Sequence, residues 1–219
     1  MANLRLGVLI SGRGSNLQAL INACAAEDYP AEIGLVISNV ADAAGLDRAR
    51  EAGIQTLVID HREFESRESF DTAISSALDT HDIGLICLAG FLRLLSRSFV
   101  ERWRDRIINI HPSLLPAFKG LHVHQRVIEA GVRITGATVH FIRLEMDEGP
   151  IIAQGAVGVR ANDTPASLAD RVLEVEHRLY PLAVRLIAEG KARVASELVP
   201  YVDTGEPGQP LLSPADRGA

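Results

Sequence analysis

The chain has 219 residues, of which 47% are hydrophobic and 23% charged, a composition that specifies a folded globular protein rather than a disordered or coiled-coil one. Its formal net charge of −6 argues against a dedicated nucleic-acid binder, which presents a basic surface. The longest apolar runs, 6–10 and 85–89, fall far short of the ~20 residues that a membrane span needs.

Cys24 and Cys87 make neither a disulfide framework nor a zinc site, and both sit in apolar patterns that predict core positions. The N-terminal run ends in Ser-Gly-Arg-Gly-Ser-Asn rather than a small-residue cleavage site, so the expectation is a cytoplasmic protein without a signal peptide.

Residues 4–10 read as a buried strand, and 15–27 as a helix with Leu17, Leu20, Ile21 and Cys24 on one face. A strand at 32–38 precedes a helix at 43–52, with Gly53 as its C-terminal cap. A strand at 55–59, a helix at 66–80 and a strand at 83–89 follow. A helix near 96–104 leads into a fifth strand at about 106–110. Strands alternating with helices give right-handed crossovers and a mostly parallel sheet.

The second half changes character. After a helix near 122–131 come strands at about 134–143 and 150–158, joined by a connection too short for a crossover helix, so they should pair antiparallel. A long helix starts with Thr164 as N-cap and Pro165 as its first residue. Leu168, Val172, Val175, Leu179 and Leu182 give it a stripe, and Pro181 should kink or split it. The fold class is therefore α/β: an open, mostly parallel, Rossmann-like sheet flanked by helices, with an antiparallel strand pair in the C-terminal half. Residues 1–203 read as a single domain and 204–219 as a flexible Gly/Pro-rich tail.

Three segments carry chemistry. Ser11 to Asn16 lies at a strand-to-helix junction, where free backbone N–H groups and the helix dipole favour an anion. The third glycine of a dinucleotide fingerprint would fall at Leu17, and no Walker lysine follows. A tight turn, with Ser15 and Gln18 at capping-box spacing, is the competing reading.

Asn109 and His111 are two apart on a strand end and share a face, where open α/β sheets bind ligands. Histidine moves protons near neutrality, and an asparagine NH₂ donates to a developing oxyanion. The loop Glu145 to Pro150 holds Asp147, which would orient His111 if the loop folded back; otherwise it is a solvated turn. His122 and His124 lack a third ligand with metal-site spacing.

These segments together resemble the folate-dependent phosphoribosylglycinamide formyltransferases. The resemblance covers about residues 4–200. It is carried by Ile10-Ser11-Gly12-Arg13-Gly14-Ser15-Asn16-Leu17-Gln18, by Leu88 to Leu95, by Asn109-Ile110-His111-Pro112-Ser113-Leu114-Leu115-Pro116, by Gly136 to Phe141 and by Glu176 to Pro181. It implies transfer of the formyl group of 10-formyltetrahydrofolate to the amine of glycinamide ribonucleotide, in de novo purine (IMP) biosynthesis. The products are N-formylglycinamide ribonucleotide and tetrahydrofolate.

Under that resemblance Asn109, His111 and Asp147 match the catalytic trio. Gly14, Ser15 and Asn16 match the phosphate loop, and Leu173, Glu174, Val175 and Glu176 match the segment near the ribonucleotide amine. Arg67, Leu92, Arg93, Leu94, Leu95 and Asn109, with Arg143, Leu144, Glu145, Met146 and Asp147, match folate-contacting positions. The folate is a cosubstrate, and no metal or redox cofactor is implied. The partners are these small molecules, without nucleic acid or membrane, in a monomer or homodimer.

The chain departs from the family pattern at Glu148, usually a small residue, and at Leu92, usually Met. The related methionyl-tRNA formyltransferases add a C-terminal domain and a basic surface, and the formyltetrahydrofolate deformylases add an N-terminal regulatory domain; neither is expected here. A non-catalytic nucleotide- or folate-binding module is the reading from a different class, and it would keep every function when Asn109 and His111 became Ala.

Overall fold

The computed structural model describes residues 3–200, so the expected tail at 204–219 lies outside the described residues. One seven-stranded sheet forms the centre. Its strands are β1 (Leu4–Ile10), β2 (Ala31–Ser38), β3 (Thr56–Val58), β4 (Leu85–Leu88), β5 (Ile107–His111), β6 (Ile134–Phe141) and β7 (Ile151–Gly158), in the spatial order β3-β2-β1-β4-β5-β6-β7. β1 to β5 are parallel; β6 pairs antiparallel with β5, and β7 with β6. The expected antiparallel pair is present and extends the same sheet.

The pleat sends alternate residues to opposite faces. Leu6, Val8, Ile10, Ile108 and Ile110 enter one apolar cluster; Leu9, Ile86 and Ile107 enter the other. Helices α1 (Ser15–Cys24), α2 (Gly45–Glu51), α5 (Val123–Glu129) and α6 (Pro165–Ala188) contribute to the first cluster. Helices α3 (Arg67–Thr80) and α4 (Arg97–Arg102) contribute to the second. Cys87 is fully buried, and burial pushes its thiol far above the usual range. Cys24 is half-buried at the rim, its thiol pushed up to about 12 chiefly by burial.

Local signals explain the helix ends. Gly53, at φ 71°, donates to Arg50, and Ile54 donates to Ala49, the hydrogen-bond pair of a glycine-terminated helix. Thr164 caps α6 by accepting from Ser167 N–H at 3.1 Å, with Pro165 behind it.

Of the kink or split expected at Pro181, the split does not occur: α6 continues to Ala188. An interior proline costs ~3 kcal/mol. Leu179, Tyr180, Ala183 and Val184 are buried on both sides of it and offset that cost. The Tyr180 hydroxyl also donates to the Leu88 carbonyl at 3.0 Å, and the Tyr29 hydroxyl to the Pro181 carbonyl at 2.8 Å. Leu182, expected in the stripe, is 47% exposed; Ala183 and Val184 take its place. Among the described residues, no helix is long and apolar enough to cross a membrane.

Strand order reverses beside β1. The chain runs outward through β2 and β3, then returns to place β4 on the other flank of β1. The carboxyl ends of β1 and β4 therefore border the crevice where open α/β sheets bind ligands.

Candidate active site

The glycine loop leaves β1 at this crevice. Gly14 is left-handed, at φ 69°, and is itself the N-cap of α1, accepting from Gln18 N–H at 2.9 Å. The expected Ser15–Gln18 capping box is therefore absent: Ser15 is already helical, and the Gln18 side chain donates to Asn22 and accepts from Arg48. A Cβ on Gly14 would lie 2.6 Å from the Cα of Gly45, so glycine also lets the loop dock on α2, where Gly45 N–H donates to Gly12. The N–H groups of Ser15, Asn16 and Leu17 precede the Gln18–Gly14 bond and have no intrahelical partners, as at any helix start.

In the first turn of α1, Asn16 is buried, and its Nδ2 donates to Glu176 Oε2 at 2.7 Å. This bond joins α1 to α6. Glu176 is 8% exposed; burial raises its pKa, and the Asn16 bond partly opposes the rise. Asn16 Oδ1 is buried without a partner. Of the neighbouring segment, Leu173 and Val175 are half-buried, and Glu174 points to solvent.

The second half of the crevice is built on β5. Asn109 is half-buried and His111 buried at its end, on the same side of the strand. The loop after β6 folds back and places Asp147 Oδ2 3.4 Å from His111 Nδ1. The proximity that the sequence left open is thus formed. Asp147 adopts φ 56°, and its Oδ2 accepts from Gly120 N–H at 2.8 Å. His111 Nε2 lies 3.0 Å from the Phe118 carbonyl, and a carbonyl only accepts, so Nε2 carries a proton there. Asp147 also lines an open cleft of about 250 Å³ with Leu115, Lys119, Glu148 and Ile151. Lys119 and Glu148 pair across its mouth at 2.7 Å.

Sequence reasoning assigned no role to His140. It stands opposite Asn109 in the β5–β6 register and is fully buried. Its Nδ1 is 3.0 Å from the Phe141 carbonyl, leaving Nε2 facing Asn109 Nδ2 at 3.5 Å and Asp147 Oδ1 at 3.8 Å. Burial lowers its pKa, so the neutral ring stands behind the Asn109 amide. Thr138 was missed as well: its hydroxyl donates to Ser113 and accepts from Leu115 N–H, pinning the loop that leaves His111. Polar residues alternating inside an otherwise buried strand were the available signal.

The expected folate-contacting positions fall into two groups. Leu92, Arg93 and Leu94 are exposed on the loop after β4, and Leu95 is half-buried; Arg67 is the exposed first residue of α3. Ser11 Oγ accepts from Leu92 N–H at 2.8 Å and ties this loop to the glycine loop. Leu144, Glu145 and Met146 are exposed on the Asp147 loop. The Arg143 side chain is committed elsewhere, to Asp105 and Glu197, each at 2.7 Å. His122 is exposed, and His124 is half-buried with Nδ1 unpartnered. Among the described residues, no group of three or more His, Cys, Asp or Glu is placed to hold a metal.

Comparison with known proteins places the chain in a family. The formyl transferase family model matches residues 4–184. Phosphoribosylglycinamide formyltransferase of Escherichia coli K12 is 43% identical over 191 residues, 87% of this chain and 90% of that protein. A 52% identical stretch in the trifunctional purine biosynthetic protein adenosine-3 of Gallus gallus covers 87% of this chain, which spans only 19% of that much longer protein. Among solved structures, glycinamide ribonucleotide transformylase 1 of Symbiobacterium toebii superposes with a TM-score of 0.88 at 46% identity, covering 90% of this chain and 93% of that one. Phosphoribosylglycinamide formyltransferase of Brucella melitensis gives 0.83 at 50% identity, over 88% and 100%. The chain belongs to the formyl transferase family.

Proposed function

We propose that the chain transfers the formyl group of 10-formyltetrahydrofolate to the amine of glycinamide ribonucleotide, a step of de novo purine synthesis. The observation that carries the reading is the Asp147 carboxylate beside His111 Nδ1, on the face of β5 that also bears Asn109. The relatives named for this activity share the chain at 43–50% identity over nearly their whole length.

The amine nitrogen attacks the formyl carbon; a C–N bond forms and negative charge develops on the formyl oxygen. Asn109 Nδ2 and His111 Nε2–H supply donors for that oxygen, the latter exchanging the Phe118 carbonyl for the substrate. One such donor is worth ~10²–10³ in rate. Collapse breaks the bond to the folate nitrogen, which takes up a proton while the amine loses one. His111, or a water held by Asp147, relays it. The carbon keeps its oxidation level, so no redox cofactor is called for.

The first turn of α1, at Gly14, Ser15 and Asn16, receives the ribonucleotide phosphate. Glu176 binds the amine end, beside Leu173 and Val175. The exposed loop Leu92–Leu95, Arg67 and the loop 144–147 receive the folate. Arg143 supports that last loop through its ion pairs.

The test is a formyl-transfer assay with purified protein and 10-formyltetrahydrofolate, with and without glycinamide ribonucleotide. Ribonucleotide-dependent consumption of folate with formylated product is the expected result. Consumption without ribonucleotide would replace the reading by a deformylase, and no consumption by folded protein would replace it by another acceptor or a binding module.

A further inference from the structure

The segment expected to receive the folate presents its apolar side chains to solvent: Leu92 is 76% exposed and Leu94 60%. Such side chains gain nothing by themselves from being held there. The segment is fixed at two points. Ser11 Oγ accepts from Leu92 N–H at one end, and Asp71 Oδ2 accepts from Ser96 N–H at 2.5 Å at the other.

Asp71 is the more unusual of the two anchors. It is 2% exposed, on the inner face of α3, one turn after Arg67. Its second oxygen, Oδ1, is buried without a partner. A carboxylate so placed costs stability unless it is needed. Packing does not do its work, because an open cleft of about 360 Å³ lies between α3 and α4, lined by Asp71, Ser75, Ser98, Phe99 and Arg102 among others. Ser96 is at once the end of the exposed segment and the N-cap of α4, its Oγ accepting from Phe99 N–H at 3.3 Å.

We infer that Asp71 is a positioning residue for the folate cosubstrate: through Ser96 N–H it holds the segment Leu92–Leu95 in its ligand-receiving conformation and in register with Arg67 on the same helix. The inference rests on the proposed formyl-transfer reading. Asp71 contacts no reacting atom, so its loss should act on folate binding and not on the chemical step.

The test compares Asp71→Ala, Asp71→Asn and Ser96→Pro with wild type. Ser96→Pro removes the N–H from the other side together with the Oγ cap of α4, so Ser96→Ala, which loses the cap and keeps the N–H, is its control; the Ser96 φ of −70° already suits proline. Asn keeps an oxygen that accepts from Ser96. Asp71→Ala and Ser96→Pro should each raise KM for 10-formyltetrahydrofolate about tenfold, the scale of one charge-assisted hydrogen bond. KM for the ribonucleotide and kcat should stay within about twofold, and Asp71→Asn should restore folate KM to within about threefold.

Hydrogen exchange on the ligand-free proteins should be faster at 92–95 in both disrupting variants, with β4 and β5 unchanged. A folate KM that does not move, or two KM values that rise together, would overturn the inference and leave Asp71 a structural residue. If Asp71→Ala does not fold, the other two variants decide. A wild type that transfers no formyl group would sink the functional reading instead, and the exchange measurement would still decide whether Asp71 holds the segment.

Discussion

Glu176→Gln separates what the Glu176 carboxylate does for ligand binding from what it does to the fold. Burial raises the Glu176 pKa from the ordinary 4.5, and the single donor Asn16 opposes this only in part. A carboxylate whose pKa is higher folded than unfolded binds more protons in the native state. Stability then falls as pH rises from the unfolded value through the folded one. Each unit of upward shift withdraws about 1.4 kcal/mol at pH values above both. Glutamine keeps an oxygen for Asn16 Nδ2 and has no charge to desolvate.

The variant should therefore melt higher than wild type at neutral pH. A domain of this size moves roughly 2–4 °C in Tm per kcal/mol. The difference should shrink on acidification and vanish below about pH 4.5, where both states of the wild type are protonated. In the same protein, KM for the ribonucleotide should rise ~10–100-fold, because the amine loses a charged acceptor. Thermal melts across pH, paired with steady-state kinetics, read both effects. A variant no more stable than wild type near pH 7.5, or a Tm gain that grows on acidification, would refute the reasoning.

Other substitutions test the rest of the site. His111→Ala should fold and bind ribonucleotide but lose ~10²–10³ in turnover, read by kcat and by ribonucleotide titration. Asp147→Asn keeps a residue type that tolerates the positive φ of 56°, so it should lower the maximal rate and displace the pH–rate profile; superimposable profiles would remove Asp147 from the proton chemistry. A Cβ at Gly149 would lie 1.6 Å from the Phe141 carbonyl oxygen. Gly149→Ala should cost about 3 kcal/mol, lowering Tm by several degrees, and should reduce kcat by displacing the Asp147 loop. Glu148→Ser breaks a half-exposed pair with Lys119 and should change stability by less than about 1 kcal/mol in a melt.

The alternating pattern was legible because buried strands and amphipathic helices write their periods directly: β1 has its expected ends, and α6 begins at its expected cap. Pro181 does not split α6, because the tertiary packing that compensates for its missing N–H is not written in the local sequence. Ser15 and Gln18 have capping-box spacing, but the left-handed Gly14 before them takes the cap, and that backbone state is set by the docking on Gly45. Asn109 and His111 were legible as a pair because strand period two needs only local information. Asp147, His140 and Phe118 reach them through loop closure and the β5–β6 register, which no local pattern encodes. Asp71 was hidden for the same reason, since its partner Ser96 lies 25 residues away.

The three carboxylates in this architecture share one design. Asp71 and Glu176 are nearly fully buried and Asp147 partly so, and each accepts a hydrogen bond from a distant segment: Ser96 N–H, Asn16 Nδ2 and Gly120 N–H respectively. A single hydrogen bond from a neutral donor compensates a desolvated carboxylate only partly. For Asp71 and Glu176 the shortfall shows as a pKa raised by burial. A sequence optimised for stability alone would put apolar side chains at such positions. Instead each carboxylate stitches one segment of the proposed site to another: the end of the exposed loop after β4 to α3, the Asp147 loop to the turn beyond His111, and the first turn of α1 to α6. The stability forgone is thus localised where segments from distant parts of the chain must meet, and it should be recoverable one site at a time. Glu176→Gln should gain stability while losing ribonucleotide affinity, and Asp71→Asn should gain stability with little loss of folate affinity. That difference follows from geometry: in the proposed complex the Glu176 carboxylate meets the ligand itself, while Asp71 meets only a backbone N–H that an amide oxygen serves as well.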